Sequence, residues 1–416
     1  MNVFKLSTIN NLNIYFLFIF LNYFIYFCFK EKLFFLFFSI LIILVFLFTI
    51  IKNFKENKLI ISIFILFCLI SLSSPVADWD ARSIWLFNAK IIFFESSLGN
   101  YFSYSPYYNH IDYPIFVPVL SATLATIING WNEIFPKFST LILALPPLII
   151  LSKISKKFLS KLVLLILILF IYEKRIINGE VDAILALYSI LLIELLKNFF
   201  NIKKENNPSF GHLIIILFNI IFLTLIKFEG SVIALTILAS FFFTYRDKIS
   251  NLKVLIPIVI IAFIPILLWL LYSNTKIDTS SAGQMLSGGE RFLSNLLDFK
   301  FILHLVGKIL INKQMMIVLI VFVFIFAKYI SVNMYKINCD KLILRKEFLF
   351  CYLSIINYSV ILSIIMIMSE GSTHNVQQEY FMANTASDRY FAPVHSMILL
   401  CSIYLIENSK KARLFN

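Results

Sequence analysis

Long apolar runs, separated by short polar or basic segments, repeat along nearly the whole chain. Each run approaches the about 17–25 residues that a helix needs to cross a lipid bilayer. Twelve such runs lie near 12–29, 33–51, 59–74, 137–152, 158–172, 182–200, 211–226, 230–245, 253–272, 314–332, 348–368 and 391–407. The pattern predicts an all-α polytopic membrane protein with about twelve transmembrane helices.

One further apolar segment, 115–130, does not fit this pattern. Its sixteen residues make a helix of about 24 Å, whereas the hydrocarbon core of a bilayer is about 30 Å thick. The segment also follows Pro114 and contains Pro118. We therefore predict a re-entrant or surface-lying segment, which makes 76–136 one long loop with short helices at the membrane surface.

If 115–130 does not span, every cluster of basic residues falls on one side of the membrane. These clusters lie at 52–58, 153–161, 197–204, 246–253, 328–346 and 410–413. Because basic loops face the cytoplasm, we predict cytoplasmic termini, with the inner (cytoplasmic) membrane of a bacterium as the location. The extracytoplasmic side then receives most of the acidic and polar segments, namely 76–136, 176–182, 227–230, 273–313 and 369–390.

Composition supports the membrane assignment and excludes several other classes. With 60% hydrophobic residues, 14% charged residues and a mean hydropathy of +0.89, the 416-residue chain could not cover a soluble domain. Its net charge of +13 is divided among short loops, which argues against nucleic-acid binding. The five cysteines show no C-x-x-C spacing, so neither a disulfide framework nor a zinc site is indicated. We predict one integral-membrane domain over 1–416 and no separate soluble domain.

Two carboxylates, Asp78 and Asp80, directly follow an apolar run, where a span would leave the membrane. One carboxylate there can act as a general base towards an acceptor hydroxyl, and a second can hold a cation or a sugar hydroxyl. Alternatively, both cap the short helix that begins near Ala81, because aspartate accepts hydrogen bonds from free N–H groups. Trp79 and Trp85 also suit the aromatic belt of a membrane interface.

Two short turns between apolar runs carry further charges. Glu180 and Asp182 lie in the sequence NGEVD, where they either serve a site or form an ordinary acidic helix start. Lys227 and Glu229 lie in the sequence KFEG. Charges in so short a turn pair with each other or line a cavity, because exposure to lipid costs a few kcal/mol.

The remaining candidates lie in two longer loops. Arg389 precedes the last apolar run, where a guanidinium group can bind a lipid phosphate with two parallel hydrogen bonds. Alternatively, it is an interfacial arginine that extends towards the lipid headgroups. His110 and Asp112 lie in a tyrosine-rich loop, where they contact a sugar or an acceptor or simply belong to the membrane interface.

The stretch SPVADWDARSIWLFNAKIIFF, followed by HIDYPIFVPVLSA, resembles the first external loop of the GT-C glycosyltransferases. This superfamily includes protein mannosyltransferases and aminoarabinose transferases, which take a sugar from a polyprenyl-phosphate donor outside the cytoplasm. The acidic residue of the family's early span exit matches Asp80, its short helix matches 81–94, and its Y-P segment matches Tyr113 and Pro114. The sequences NGEVDAIL, KFEG and DRYFAP are similar to the family patterns G-x-x-D-x-x-L, T-K-x-E-G and D-R-Y-x-x-P.

This resemblance implies a GT-C-like fold and transfer of a sugar to a lipid, glycan or protein acceptor of the cell envelope. By the resemblance, Asp80 is the general base. Arg389, together with Lys227, is expected to contact the phosphate of the donor. Asp182 or Glu180 is expected to orient the acceptor.

The resemblance leaves three matters open. One is whether a divalent cation takes part, held by Asp78, Asp80 and Asp182. Another is whether the chain is instead a transporter or flippase for a lipid-linked or soluble substrate, which predicts ionisable residues inside spans. Glu194 is the main charge within an apolar run. The third is whether the chain is a relative without catalytic activity.

Overall fold

The computed structural model describes residues 6–28, 32–95, 101–102, 110, 112–202, 210–248, 253–276, 307, 312–333, 346–369 and 390–408. All regular secondary structure in these residues is helical, and none of them lies in a strand. The α-helices are α1 (Leu6–Cys28), α2 (Lys32–Phe54), α3 (Lys58–Ser73), α4 (Leu86–Glu95), α5 (Phe116–Ala125), α6 (Ile134–Ile154), α7 (Phe158–Ile166), α8 (Glu173–Asn178), α9 (Asp182–Ile202), α10 (Phe210–Ile226), α11 (Phe228–Thr244), α12 (Leu255–Asn274), α13 (Lys313–Asn333), α14 (Lys346–Ser369) and α15 (Ala392–Asn408).

The apolar runs of the sequence coincide with helices. Among the described residues, five helical segments are long and apolar enough to cross a membrane, namely Ile9–Phe27, Leu33–Phe54, Ile134–Ile154, Leu255–Asn274 and Lys346–Ile364. Several shorter apolar helices accompany them, including α3, α10 and α11. The prediction of a helical membrane protein is therefore confirmed. The count of about twelve spans stays a prediction.

The chain forms two compact units that alternate along the sequence. Unit 1 consists of Met1–Ile154, Tyr172–Ala234 and Asp247–Ile277. Unit 2 consists of Ser155–Ile171, Leu235–Arg246 and Asp278–Asn416. The sequence predicts one integral-membrane domain over 1–416, and this expectation stays a prediction. All the predicted site residues that the structure describes lie in unit 1.

The interior of unit 1 is built on α6 and α9. Nearly every described side chain of these two helices is buried, and both helices are mainly apolar. Helix α9 packs against α10, and α6 packs against α3 and α5. The opposite pattern occurs in α2, which exposes a row of leucine, isoleucine and phenylalanine side chains, as expected for a helix in contact with lipid.

Unit 2 is arranged around α15. This helix packs against α13, α14 and α7. Near its end, the Glu407 carboxylate accepts hydrogen bonds of 2.8 Å from the backbone N–H groups of both Lys156 and Lys157. These N–H groups precede α7 and have no partner within that helix, so Glu407 fixes the start of α7 against α15.

The segment predicted as re-entrant or surface-lying contains a short helix. Helix α5 is followed by a 3₁₀ turn at Thr126–Ile128, and Asn129 ends it in the left-handed conformation, with φ of 49°. All ten side chains of α5 are buried by neighbouring elements of unit 1. The helix and its 3₁₀ turn are about 20 Å long, shorter than the hydrocarbon core. That they form a re-entrant or surface-lying segment stays a prediction.

The short helix expected near 81–94 begins with a π-helical turn. This turn covers Ala81–Trp85 and continues directly into α4. Its defining hydrogen bond runs from the backbone N–H of Leu86 to the carbonyl oxygen of Ala81, five residues back. Such turns hold one residue more than an α-helical turn and are frequent at functional sites.

Candidate functional site

The turn between α8 and α9 brings acidic side chains to one end of unit 1. Helix α8 ends at Gly179, which has a φ of +87°, a conformation that side chains other than glycine rarely adopt. The backbone N–H of Glu180 donates a 3.0 Å hydrogen bond to the carbonyl oxygen of Arg175. This six-to-one closure over a left-handed glycine is a Schellman motif. The sequence places the turn at 176–182, but helix α8 continues to Asn178 because only Gly179 can end it in this way.

Side chains from two other helices fix this turn. The Ser71 hydroxyl donates to the carbonyl oxygen of Ile177 over 3.1 Å, and the Thr140 hydroxyl donates to that of Ile176 over 2.8 Å. Lys137 lies against Gly179, where an added Cβ would stand 3.2 Å from the lysine Cβ. The carbonyl groups at the end of α8 are thus satisfied by protein, and the turn is held rigidly.

Asp78 and Asp80 have different surroundings. One oxygen of Asp78 (Oδ1) accepts hydrogen bonds from the backbone N–H groups of Asp80, over 2.9 Å, and Ala81, over 3.2 Å. Asp80 makes no side-chain capping bond and is half-buried. The capping alternative therefore describes Asp78 and not Asp80. Asp78 fixes the backbone on which Asp80 stands.

Glu180 interacts directly with Asp78. Burial of Glu180 in the turn, together with a side-chain hydrogen bond to Asp78 and the charges of Asp78 and Asp182, raises its pKa to about 8. Arg175 opposes this shift, with its Nε atom 3.8 Å from Oε2 of Glu180. A glutamic acid that keeps its proton at neutral pH can donate a hydrogen bond to a carboxylate, so Glu180 holds a proton that its hydrogen bond shares with Asp78.

This shared proton predicts a pH-dependent stability. The folded state holds the proton up to about pH 8, whereas the unfolded chain releases it near the ordinary glutamate pKa of 4.5. Raising the pH through this window therefore favours the unfolded state. We expect the melting temperature of the wild type in detergent to fall between about pH 5 and about pH 8. Glu180→Gln should reduce this fall by about 5 °C or more.

The control is Glu133→Gln, which removes an exposed carboxylate instead of a buried one. Its pH profile should follow that of the wild type. Other groups titrate in both proteins, so the difference between the wild-type and variant curves isolates Glu180. Superimposable curves for the wild type and Glu180→Gln would contradict the shared proton.

The second charged group is centred on Lys227, whose side chain is enclosed by two carboxylates and an aromatic ring. Its Nζ atom lies 3.2 Å from Oδ1 of Asp182 and 3.0 Å from Oε1 of Glu229. The same atom lies 5.8 Å from the ring centroid of Tyr113, within the range of a cation–π contact. Lys227 is only 2% exposed. The ion-pair alternative for Lys227 and Glu229 therefore describes these residues.

The loop that contains His110 and Asp112 reaches this group through Tyr113. The Tyr113 ring stacks on His110, with centroids 4.5 Å apart, and on Trp85 at 5.7 Å. The Trp269 indole N–H donates a 2.7 Å hydrogen bond to the backbone carbonyl of Asp112. Burial raises the pKa of the Asp112 carboxyl, and the charge of Glu229 adds to the effect.

The structure thus joins most of the predicted site residues into one group. Contacts run from Asp78 to Glu180, from Asp182 to Lys227, and from Lys227 to Tyr113 and its loop. Arg389 lies outside the described residues. Among those described, no three histidine, cysteine, aspartate or glutamate side chains are grouped so that they could hold a metal ion.

Sequence reasoning missed Arg175 and the anchoring side chain of Lys137. Arg175 follows an apolar run, where a basic residue looks like an ordinary helix end. Its five-residue separation from Glu180 across a glycine is the one available signal, because a Schellman motif brings these two positions together. Lys137 donates to the carbonyl oxygen of Ser74, and no local pattern predicts a contact across 63 residues.

Comparison with known proteins adds no relative. No protein-family model matches the chain, and neither a curated protein nor a solved structure matches it significantly.

Proposed function

We propose that this chain is a membrane glycosyltransferase that moves a sugar from a polyprenyl-phosphate donor to an extracytoplasmic acceptor. The observation that carries the proposal is the division of roles between two neighbouring carboxylates. Asp78 is used by the fold to hold the helix start, whereas the half-buried Asp80 takes no part in capping. A carboxylate on a fixed backbone that does not cap the helix can act as a general base.

In the proposed reaction, the Asp80 carboxylate removes the proton from an acceptor hydroxyl. The hydroxyl oxygen attacks the anomeric carbon of the donor, and a new glycosidic bond forms. The bond between that carbon and the phosphate oxygen breaks, and the lipid phosphate leaves with the electron pair. The proton remains on Asp80 until it is released to water, so charge and atoms balance.

The leaving phosphate needs a cation, and Arg389 is proposed for this role by its family-like sequence context. Lys227 is less suited to it, because both of its carboxylate contacts would have to be broken first. The shared proton of Asp78 and Glu180 has a complementary effect. It removes one negative charge from a region that an anionic donor must approach.

The proposed topology has about twelve spans, cytoplasmic termini and an extracytoplasmic site in a bacterial inner membrane. It is supported by an observation independent of the basic clusters. The segments around Asp78, Glu180 and Lys227 are separated in sequence by apolar helices, yet they contact one another through the charged group. Segments in mutual contact emerge on the same side of a membrane.

The transporter alternative depends on an ionisable residue inside a span, and Glu194 is its candidate. This residue is fully buried in α9, where Lys197 lies 2.6 Å from its carboxylate and Asn198 donates to it. A carboxylate already neutralised within its own helix serves a structural role. Glu194 therefore gives the transporter no support.

The test of the proposed function is transfer from a labelled polyprenyl-phosphate sugar in membranes that contain the protein. Asp80→Asn preserves the size of the side chain and removes the base, so we expect the transfer rate to fall about 10²–10⁴-fold. The matched control is Asp247→Asn, which makes the same change at an exposed aspartate far from this loop in sequence and should retain wild-type transfer. Equal transfer by the wild type and Asp80→Asn would refute the proposal.

The sidedness has its own test in a variant that lacks the natural cysteines. We expect Glu133→Cys to react with a membrane-impermeant thiol reagent in intact cells. Lys55→Cys, in the basic loop at 52–58, should react only after lysis. Both residues are exposed, so access to the reagent depends on the side of the membrane alone. The reverse pattern would overturn the topology.

A further inference from the structure

A cleft of about 410 Å³ lies beside the helix that begins at Asp80. One wall is formed by the exposed face of the π-helical turn and α4, including Trp79, Arg82 and Lys90. The other wall is the turn that precedes α6, with Trp131 and Glu133. The cleft belongs entirely to unit 1 and uses none of the side chains of the charged group described above.

The charges of the cleft favour an anionic ligand. Arg82 and Lys90 are both exposed, and Glu133 is the only acidic residue among those that line the cleft. The two cations are eight positions apart in the sequence, which corresponds to about 12 Å along a helix. A ligand that contacts both must be larger than a simple inorganic ion. Arginine binds a phosphate group through two parallel hydrogen bonds, and lysine adds a point charge.

The two indole rings favour a ligand that also has an apolar face. Trp79 lines the cleft and is 63% exposed, so its ring is accessible to a ligand. Trp131 is held in place, because it packs on a buried cluster that includes Val76 and its ring lies 5.9 Å from that of Phe93. A fixed indole presents a flat surface on which the C–H face of a sugar ring stacks.

We infer that this cleft binds a phosphorylated saccharide, which serves as the acceptor. The sugar ring stacks on Trp131 and Trp79, and the phosphate binds Arg82. Lys90 donates a hydrogen bond to an oxygen at the other end of the saccharide, and Glu133 accepts a hydrogen bond from a sugar hydroxyl. That the bound saccharide is the acceptor rests on the proposed function. That the cleft binds a phosphorylated saccharide does not. Trp79, which lines the cleft, directly precedes Asp80 in the chain, and this adjacency is the reason for naming the bound saccharide as the acceptor.

A phospholipid headgroup offers the same phosphate chemistry from another source. Two cations alone would suffice to hold it, as they do at many membrane surfaces. The fixed indole and the carboxylate of Glu133 are the groups that a sugar ring uses in addition. The saccharide is therefore the ligand that accounts for all of these side chains.

Binding can be measured by the intrinsic tryptophan fluorescence of the full chain in detergent. The probe is glucose 6-phosphate, compared with glucose and with inorganic phosphate. We expect a saturable change with glucose 6-phosphate and at least about tenfold weaker binding of the other two. Arg82→Gln and Trp131→Phe should each weaken binding about tenfold or more. Arg246→Gln, which changes an exposed arginine outside the cleft, should leave it unchanged.

Three outcomes would overturn the inference. They are the absence of saturable binding, equal affinity of Arg82→Gln and Arg246→Gln, and an Arg82-dependent response to phosphatidylglycerol nanodiscs that glucose 6-phosphate does not reduce. The last would identify a lipid headgroup site. Measurements in the Asp80→Asn background separate this inference from the proposed function. If glucose 6-phosphate binds but Asp80→Asn transfers sugar at the wild-type rate, the proposed function alone is refuted. If glucose 6-phosphate does not bind but transfer depends on Asp80, the cleft alone is refuted.

Discussion

Replacing Gly230 with alanine is expected to prevent the chain from folding. An added Cβ at this position would lie 1.7 Å from the carbonyl oxygen of Leu223 and 2.7 Å from its carbonyl carbon. These are backbone atoms of α10, so no side-chain rotation can relieve the overlap. The Cβ would also stand 3.0 Å from the Leu185 side chain. We expect a loss of stability above about 4–5 kcal/mol, which places the variant among the most severe substitutions.

The measurement is the yield and size-exclusion profile of the purified variant in mild detergent. Gly130→Ala is the matched control, because its added Cβ would meet only one neighbour, the carbonyl oxygen of Ile128 at 3.8 Å. This variant should elute like the wild type. A monodisperse Gly230→Ala protein with a wild-type melting temperature would show that the close approach of α10 and α11 is wrong.

Replacing Lys227 with methionine is the second change with a large expected effect. Methionine has a similar length and no charge, so Asp182 and Glu229 would lose the cation between them. Asp182 is buried, and leaving one side of a buried ion pair unmatched costs about 3–5 kcal/mol. We expect a marked fall in melting temperature, measured in the same detergent. Lys55→Met, at an exposed position, should have no such effect.

A rescue variant separates the ion pair from simple loss of packing. Combining Lys227→Met with Asp182→Asn and Glu229→Gln removes the unmatched charges and should recover part of the lost stability. If Lys227→Met instead keeps the wild-type melting temperature but loses transfer of the sugar, Lys227 contacts the donor. The ion-pair interpretation would then be wrong.

The positions of the helices could be predicted because hydrophobic segment length dominates in a membrane protein. Each of the twelve apolar runs lies in a helix of the structure, with ends that differ by a few residues. The largest difference occurs at 158–178, where the sequence predicts the end of an apolar run at 172 and a turn at 176–182. The chain instead passes through a π-helical turn at Leu167–Tyr172 and continues as α8 until Gly179.

The candidate site was predictable residue by residue but not in its contacts. The sequence singles out Asp78, Glu180 and Lys227 because charges are conspicuous between apolar runs. It cannot show that Asp78 caps a helix while Asp80 does not, because both residues fit the capping pattern. The contact of Glu180 with Asp78 joins segments about a hundred residues apart, and only tertiary packing creates it.

The π-helical turn at Ala81–Trp85 sets the direction in which Asp80 faces. Its one additional residue rotates everything before it by about 100° around the helix axis, compared with an uninterrupted α-helix. The buried face of α4 is anchored by residues such as Ile91 and Ile92, so this rotation falls on the residues that precede the turn. Loss of a single residue from the turn would bring another side chain to the place of Asp80. Which side chain occupies the place of Asp80 thus depends on the rotation of the helix as much as on side-chain chemistry.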